Sequence, residues 1–347
     1  MAHPFTNIQH RLGAKALVRA EAPAGGPVWV ITDDALAREA LADPRITRDS
    51  AFAPEHWGPW EMGVEPPGAQ VPSLTTLDGP PHLRLRRAHA PLFTARHIAE
   101  HTDRTTETAR RLLNDAEADI DLVADFTTRF PLTVICELLG VPTEHLDELA
   151  VACKALTTSA GPAETAAATA TLSRLVAGAR AQDTLHARLP ELTDEQVHYL
   201  LFGLVFAGQL TTESALGFLI AHLLAGRHEG TDDEFVQEML RRNPPAPFTL
   251  WRFTTEEVEI AGTVLPPRSP VLAHIQGIND AGHDLTFGFG AHFCIGAQLA
   301  QQELVAVTRV LREDYPDARL AVPFEDLEVQ DLGLNGRRLT ALPVVLR

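Results

Sequence analysis

The sequence is poor in cysteine, and it has fewer basic than acidic residues. Its three cysteines, Cys136, Cys153 and Cys294, are too few and too scattered for a disulfide framework or a zinc cluster. The 29 lysines and arginines face 46 aspartates and glutamates, which gives a formal net charge of -17. Nucleic-acid binding needs a basic face for phosphate contact, so we predict that nucleic acid is not a partner.

Long apolar runs are also missing from the sequence. Nowhere do about 18 uninterrupted apolar residues occur, as a membrane-spanning helix would require. The first ten residues, MAHPFTNIQH, lack the charged region and the apolar core of a signal peptide. We therefore predict a cytoplasmic protein without a membrane anchor. With 347 residues, 45% of them apolar, the chain can bury one large core or two ordinary ones.

The spacing of apolar residues predicts a mainly α protein with small peripheral sheets. Helical spacing recurs in residues 97–115, 122–140, 144–155, 163–187, 194–226, 232–242 and 294–312. Short strand candidates lie near residue 30 and at residues 258–262, 271–275 and 342–346. Proline and glycine concentrate in residues 54–81, 243–247 and 262–296, where we expect long loops.

A glycine-rich loop brings Cys294 directly before a helical segment. Residues 287–297 read FGFGAHFCIGA, and backbone N–H groups at a helix start favour the thiolate form of a cysteine. A thiolate is the ligand that a redox-active haem iron would use. Gly290 and Gly296 let the backbone pass close to a flat macrocycle, and His292 can donate a hydrogen bond to a carboxylate at its edge. The alternative is a buried structural cysteine in a glycine-rich turn. For Cys136, in an apolar run, and Cys153, on the flank of a helix, we favour ordinary packing in the core.

This segment resembles the haem-binding loop of the cytochromes P450, whose pattern is Phe-x-x-Gly-x-[Arg/His]-x-Cys-x-Gly, and every fixed position of the pattern is met. The resemblance implies the mainly α cytochrome P450 fold in one domain over residues 1–347, haem b as cofactor and Cys294 as the ligand of its iron. It also implies haem contacts from four further residues of the loop, namely Phe287, Gly288, His292 and Gly296.

An arginine-rich segment carries a second match. Residues 78–87, DGPPHLRLRR, are similar to the family's Asp-Pro-Pro-x-His-x-Arg-Leu-Arg-Arg, which implies that His82 and Arg86 share a helix face aimed at a haem propionate. Arg84 and Arg87 would face elsewhere and dock an acidic ferredoxin, with a solvated basic face as the alternative. Arg252 opens a stretch similar to one that enters a family sheet, and it is the third candidate cation for a propionate.

The apolar segment 200–224 contains a third match, AGQLTTE at residues 207–213, similar to the family's Ala-Gly-x-[Asp/Glu]-Thr-Thr. The small Ala207 and Gly208 would let something flat or diatomic approach the helix. The resemblance implies that Thr211 relays protons. Leu210 stands at the acidic position and cannot transfer a proton, so delivery must use water through Thr211, or Glu213 if its side chain turns inward. Thr212 completes the candidate catalytic set, and ordinary polar helix residues are the alternative.

Glu238 and Arg241 resemble the family's Glu-x-x-Arg pair, which would brace the haem fold as a buried ion pair, with a solvent-facing pair as the alternative. Two segments of the chain are shorter than is usual in the family. Only residues 281–286 separate Asp280 from the cysteine loop, so the segment that supplies a third charged partner in the family is missing. Residues 155–192 also look short for the helices that cover the substrate pocket, which would admit a bulky or tethered substrate.

The resemblance implies a haem-thiolate monooxygenase that oxidises a small molecule or natural-product intermediate with O2 and electrons from a ferredoxin. Pocket residues are expected from the family layout, with ordinary packing as the alternative: Trp57, Trp60, Met62, Phe206, Ala207, Leu210 and Thr249. A second hypothesis is oxidative coupling of aryl groups in a peptide-bound or carrier-bound substrate, which Leu210 and the short pocket cover favour. A third is a haem-binding sensor or a non-catalytic homologue, which the missing segment suggests.

Overall fold

The computed structural model describes residues 15–22, 25–57, 73–157, 162–333 and 336–347. The pocket candidates Trp60 and Met62 therefore lie outside the described residues. The helices are α1 (Asp34–Ala42), α2 (Gly79–His89), α3 (Ala95–Glu100), α4 (Thr102–Asn114), α5 (Arg129–Leu139), α6 (Leu146–Thr157), α7 (Pro162–Leu175), α8 (Arg180–Arg188), α9 (Asp194–Leu224), α10 (Asp232–Arg242), α11 (Ile275–Asp280) and α12 (Ala297–Asp314).

The strands are short, and none has more than five residues within the described ranges. They are β1 (Leu17–Glu21), β2 (Pro27–Ile31), β3 (Ile46–Thr47), β4 (Asp119–Asp121), β5 (Arg252–Thr254), β6 (Val258–Ile260), β7 (Thr263–Leu265), β8 (Pro270–Ala273), β9 (Arg319–Leu320), β10 (Val329–Asp331), β11 (Arg337–Leu339) and β12 (Pro343–Val345). The predicted mainly α architecture with small sheets is confirmed, and β2, β6, β8 and β12 fall on the four predicted strand segments.

The chain divides into two compact units. The first comprises Met1–Arg87, Ala246–Cys294 and Asp331–Gly336, and its main sheet has the strand order β1-β2-β8-β5-β3. Strands β2 and β8 pair in parallel, whereas the other neighbours pair antiparallel. Fully buried Val, Ile and Leu side chains cover this sheet, as expected for strands enclosed on both faces.

The second unit comprises Ala88–Pro245, Ile295–Gln330 and Arg337–Arg347, and α9 runs through it. A capping box between Thr193 and Gln196 starts this helix by satisfying two free backbone donors. Helices α5, α7 and α12 pack around α9. By length and composition α9 could cross a membrane, but its residues are mostly buried inside the unit, as in the core helix of a globular protein. The prediction of one domain stays a prediction.

Candidate active site

The cysteine loop (residues 287–296) folds back on itself between Phe287 and Cys294, which belong to the first unit. The Cys294 amide donates to the Phe287 carbonyl at 2.9 Å, and this bond joins the two ends of the segment from Phe287 to Cys294. Gly288 and Gly290 adopt φ angles of +74° and +72°, a left-handed conformation that residues with a Cβ atom seldom take. A Cβ atom at Gly290 would also lie 3.5 Å from the Leu41 carbonyl oxygen. The φ angles thus require glycine at positions 288 and 290, whereas Gly296 has a φ of −89° that other residues also adopt.

Exposure separates Cys294 from the other two cysteines. Cys136 and Cys153 are buried, whereas Cys294 is exposed. Burial raises the pKa of both buried thiols to about 12, so they stay protonated at neutral pH. Of the three cysteines, all of them described, only Cys294 can present sulfur to a ligand as a thiolate.

A histidine pair and an aspartate lie beside the loop. His292 Nε2 lies 2.6 Å from Asp78 Oδ1, and the rings of His82 and His292 stack with centroids 4.0 Å apart. His82 is 1% exposed, and neither of its ring nitrogens has a hydrogen-bond partner among the described residues. Burial lowers the pKa of His82 to about 4. Burial would raise the pKa of Asp78, but hydrogen bonds from His292, the Arg48 amide and Thr47 hold it well below its usual range.

Two arginines, Arg48 and Arg252, lie near the same carboxylate, and Arg86 lies near Cys294. Arg252 is 5% exposed and donates to the Ile46 carbonyl at 3.3 Å. Burial lowers the pKa of Arg252, and burial together with the charge of Arg252 lowers the pKa of Arg48 to about 9. Burial also lowers the pKa of Arg86, and the thiolate of Cys294 opposes this shift. Arg86 therefore lies close enough to Cys294 to stabilise negative charge on sulfur.

We call Arg48, Arg86, Arg252, His82 and His292 the cation cluster. Of these five side chains, that of His292 is within hydrogen-bond distance of Asp78. Buried guanidinium groups and an imidazole with unpaired nitrogens cost free energy unless anions or acceptors satisfy them. A haem brings two propionates, so the residues present fit its charged edge, and Cys294 fits its iron. The sequence pointed to four of the five cluster members, but nothing in RITRDS singled out Arg48.

Helix α9 carries the candidate proton relay on an exposed strip. Between Val197 and Leu224 only Ala207 and Thr211 are exposed, four residues apart on one face. The Thr211 hydroxyl donates to the Ala207 carbonyl at 2.8 Å, and the helix continues unbroken through both residues. Phe206 and Leu210 are half-buried beside the strip.

Gly208 and Glu213 face other parts of the second unit. A Cβ atom at Gly208 would lie 3.4 Å from Ile135 of α5, so the missing side chain serves the close packing of two helices. Glu213 accepts a hydrogen bond from Gln209 on its own helix. Two residues along a helix correspond to a rotation of about 200°, so Glu213 lies on the face opposite Thr211. This geometry favours water over Glu213 as the proton source for Thr211.

A buried acid that no sequence pattern had indicated lies next to Thr212. Glu303 of α12 is 2% exposed and accepts a hydrogen bond from the Thr212 hydroxyl at 3.3 Å. Burial raises the pKa of Glu303 well above its usual value, and this bond opposes the shift only in part. Burial therefore favours the neutral carboxylic acid form of Glu303. Helical spacing had marked the 294–312 segment as amphipathic, but it could not show that position 303 faces inward.

Replacement of Glu303 by glutamine tests this protonation state. Because the folded-state pKa is raised, the folded protein binds more protons than the unfolded chain above pH 4.5, and its free energy of unfolding falls as pH rises. The variant lacks this ionisation, so the melting temperature of the variant relative to that of the parent should increase as pH rises from about 5 to about 8. A difference that stays constant across the series would show that Glu303 ionises normally.

The Glu238 and Arg241 pair forms as expected, but it is only half-buried. Arg241 donates two hydrogen bonds to the Glu238 carboxylate, at 2.7 and 2.9 Å, and the side chain of Glu238 is 36% exposed. The expectation of a buried pair is therefore wrong. Arg242 also bonds to Glu238, and these arginines lower the pKa of Glu238 to about 2, Arg241 foremost. Arg242 thus gives Glu238 a second cationic partner from the same helix.

The shortened connection before the cysteine loop is closed by one side chain. Asn279 is fully buried; its amide oxygen accepts from the Leu285 amide at 2.8 Å, and its nitrogen donates to the Thr286 hydroxyl at 2.8 Å. These bonds satisfy backbone and side-chain polar groups that a deletion could have left unpaired. The loop therefore keeps a defined conformation without the longer segment.

Two described pocket candidates, Trp57 and Thr249, make packing or hydrogen-bond contacts within the first unit. Trp57 is 6% exposed, with its ring 5.0 Å from that of Trp251 in an edge-on contact, which favours the packing alternative for Trp57. The Thr249 hydroxyl accepts from the Ala273 amide at 3.0 Å, which fixes the chain beside the end of β8. The substrate role of Thr249 stays a prediction.

Comparisons with known proteins identify the family. No protein-family model matches the sequence. The chain is 43% identical to the cytochrome P-450 monooxygenase DoxA of Streptomyces sp. strain C5 over 96% of its length and 92% of the relative. It is 31% identical to the vitamin D(3) 25-hydroxylase of Pseudonocardia autotrophica, over 96% of this chain and 93% of that one.

The solved structure of CYP154C4 from Streptomyces sp. W2061 superposes with a TM-score of 0.80 at 27% identity, covering 96% of this chain and 93% of that one. The alignment with DoxA extends over 390 positions, more than the 347 residues of this chain. Several dozen positions thus have no counterpart here, as the short segments in the sequence had suggested. The sequence similarity and the shared fold together show that the chain belongs to the cytochrome P450 superfamily and is a monooxygenase.

Proposed function

We propose that this protein hydroxylates a small natural-product intermediate in the bacterial cytoplasm, using haem b and electrons from a ferredoxin. The observation that carries the proposal is the exposed Cys294 beside a cation cluster in which Arg48 Nε and both His82 ring nitrogens are enclosed and have no hydrogen-bond partner among the described residues. That combination suits a cofactor with a thiolate-binding centre and an anionic edge. A relative named for hydroxylation of vitamin D(3) supports hydroxylation of a small molecule.

Each part of the chain would have a separate task. The Cys294 thiolate would hold the iron, with Arg86 stabilising its charge, and the other cations would bind the propionates. The bound haem supplies the activation of dioxygen. The Thr211 hydroxyl would hold a water and pass protons from it, because Leu210 has no proton to give. The neutral Glu303 would fix Thr212 and so the neighbouring turn of α9.

The electron donor is the second element of the proposal. Arg84 and Arg87 are exposed on α2, as docking of an acidic protein requires. Exposed apolar side chains, Leu83 at 43% and Phe293 at 45%, lie near these arginines and Cys294 in the sequence. A charged rim with a few apolar contacts is typical of transient electron-transfer interfaces.

Product analysis tests the function. Candidate substrates are first selected by displacement of the iron-bound water in a difference spectrum, then incubated with the holoenzyme, ferredoxin, its reductase and NADPH. We expect a product heavier by one oxygen atom. A product lighter by two hydrogens would establish oxidative coupling instead, and thiolate-bound haem without turnover of any bound compound would indicate a non-catalytic homologue. Equal rates without ferredoxin would contradict the proposed donor.

A further inference from the structure

We propose that Arg48 is an additional ligand of a haem propionate, held in place by Asp78. This inference rests on the proposed haem-binding function and adds one residue to the cations implied by the sequence motifs. Its support is the position of the backbone at residue 48, the surroundings of the guanidinium, and the way in which Asp78 is already occupied.

The backbone at Arg48 is fixed by Asp78. Arg48 directly follows β3, and its amide donates to Asp78 Oδ2. The same oxygen accepts from the Thr47 hydroxyl at 2.8 Å, while Oδ1 is bound to His292. Asp78 thus fixes the backbone at Arg48, and its charge also favours the charged form of the Arg48 guanidinium, whose Nε atom nevertheless has no hydrogen-bond partner among the described residues.

The side chain of Arg48 lies near a second guanidinium, that of Arg252, and near two histidines. Burial is the main cause of the lowered pKa of His82 and of His292, and the charge of Arg48 lowers both further. The charge of Arg252 in turn acts on Arg48. Like charges enclosed together repel strongly where water is excluded. Such an arrangement is stable when anions lie between the charges, and two propionates provide them.

The Arg48 Nε atom is enclosed and has no acceptor among the described residues. Nearby Arg45 shows that this is not general for arginines of the segment, because Arg45 binds Asp43 with a shortest distance of 2.6 Å and its side chain is 47% exposed. An enclosed guanidinium nitrogen without an acceptor is rare in folded proteins. The unsatisfied donor and the surrounding positive charge together point to an anion supplied by a ligand.

The rate of haem transfer to excess apomyoglobin tests the inference. We expect Arg48→Met and Arg48→Gln to lose haem about tenfold faster than the parent, since a charge-assisted hydrogen bond is removed. Arg48→Lys keeps the charge, so its rate of haem loss should lie between that of the parent and those of the Met and Gln variants. Arg45→Met is the matched control and should match the parent. Transfer from Arg48→Met and Arg48→Gln at the parent rate would overturn the inference.

A second arm separates ligand binding from a purely structural role. The parent and Arg48→Gln are reconstituted with the dimethyl ester of protoporphyrin IX iron, which has no free carboxylates. If Arg48 binds a propionate, the difference in transfer rate between the two proteins should vanish with the ester. A difference that persists would assign Arg48 a structural role. A parent protein that binds no haem through sulfur would instead contradict the proposed function.

Discussion

Replacement of Cys294 by alanine is expected to reduce monooxygenase turnover to background while the polypeptide still folds. Cys294 is exposed, so loss of its side chain leaves no cavity in a core and should change the free energy of unfolding of the haem-free protein little. The thiolate is the ligand that donates electron density to the iron, and no nearby cysteine replaces it. Product formation with a ferredoxin system and the far-UV circular dichroism spectrum measure the two effects.

The matched control is Cys153→Ala, which removes a thiol that is 1% exposed. This variant should keep its turnover per bound haem and lose roughly 1 kcal/mol of stability, because a small buried group has been deleted. If Cys153→Ala abolished turnover and Cys294→Ala did not, the assignment of the ligand would be wrong.

Replacement of Thr211 by valine is expected to lower product formation about a hundredfold, with the electrons diverted to free hydrogen peroxide. Valine keeps the shape of threonine but removes the hydroxyl that would hold and pass protons. The structural cost is small, because Thr211 is exposed and, among the described residues, its hydroxyl bonds to the Ala207 carbonyl of the same helix alone. The measurement is the ratio of product to NADPH consumed, with peroxide quantified in parallel.

Two variants make this test specific. Thr211→Ser restores the hydroxyl and should recover most of the coupling between NADPH use and product. Thr212→Val removes the donor to Glu303, so its main expected effect is lower stability. Unchanged coupling in Thr211→Val, or an equal loss in Thr212→Val, would remove Thr211 from the proton path.

Local sequence was enough to predict the parts of the site that are determined by local geometry. The cysteine loop needs glycines where its φ angles are positive, so its pattern can be recognised in the sequence without knowledge of the fold. The same is true of α9, whose apolar composition predicted a long buried helix, and of Glu238 and Arg241, which are neighbours on one helical turn. Spacing along the chain determines each of these contacts.

Contacts between distant segments were not predictable in this way. Arg48 and Asp78 meet across 30 residues, and Glu303 meets Thr212 across 91; neither pair leaves a periodic signal. Sequence analysis also could not show that Arg242 would join Glu238, or that Asn279 would close the shortened connection. Trp57 was expected at the pocket from its place in a loop, but it packs against Trp251, because a large aromatic ring next to an apolar sheet gains more free energy by burial.

The absorption spectrum of the reduced protein under carbon monoxide tests the sulfur–iron bond most directly. The wild-type protein should show a strongly red-shifted Soret band, the sign of a thiolate opposite carbon monoxide, and Cys294→Ala should lack it. A wild-type spectrum typical of histidine ligation, or a red-shifted band that survives in Cys294→Ala, would contradict the account.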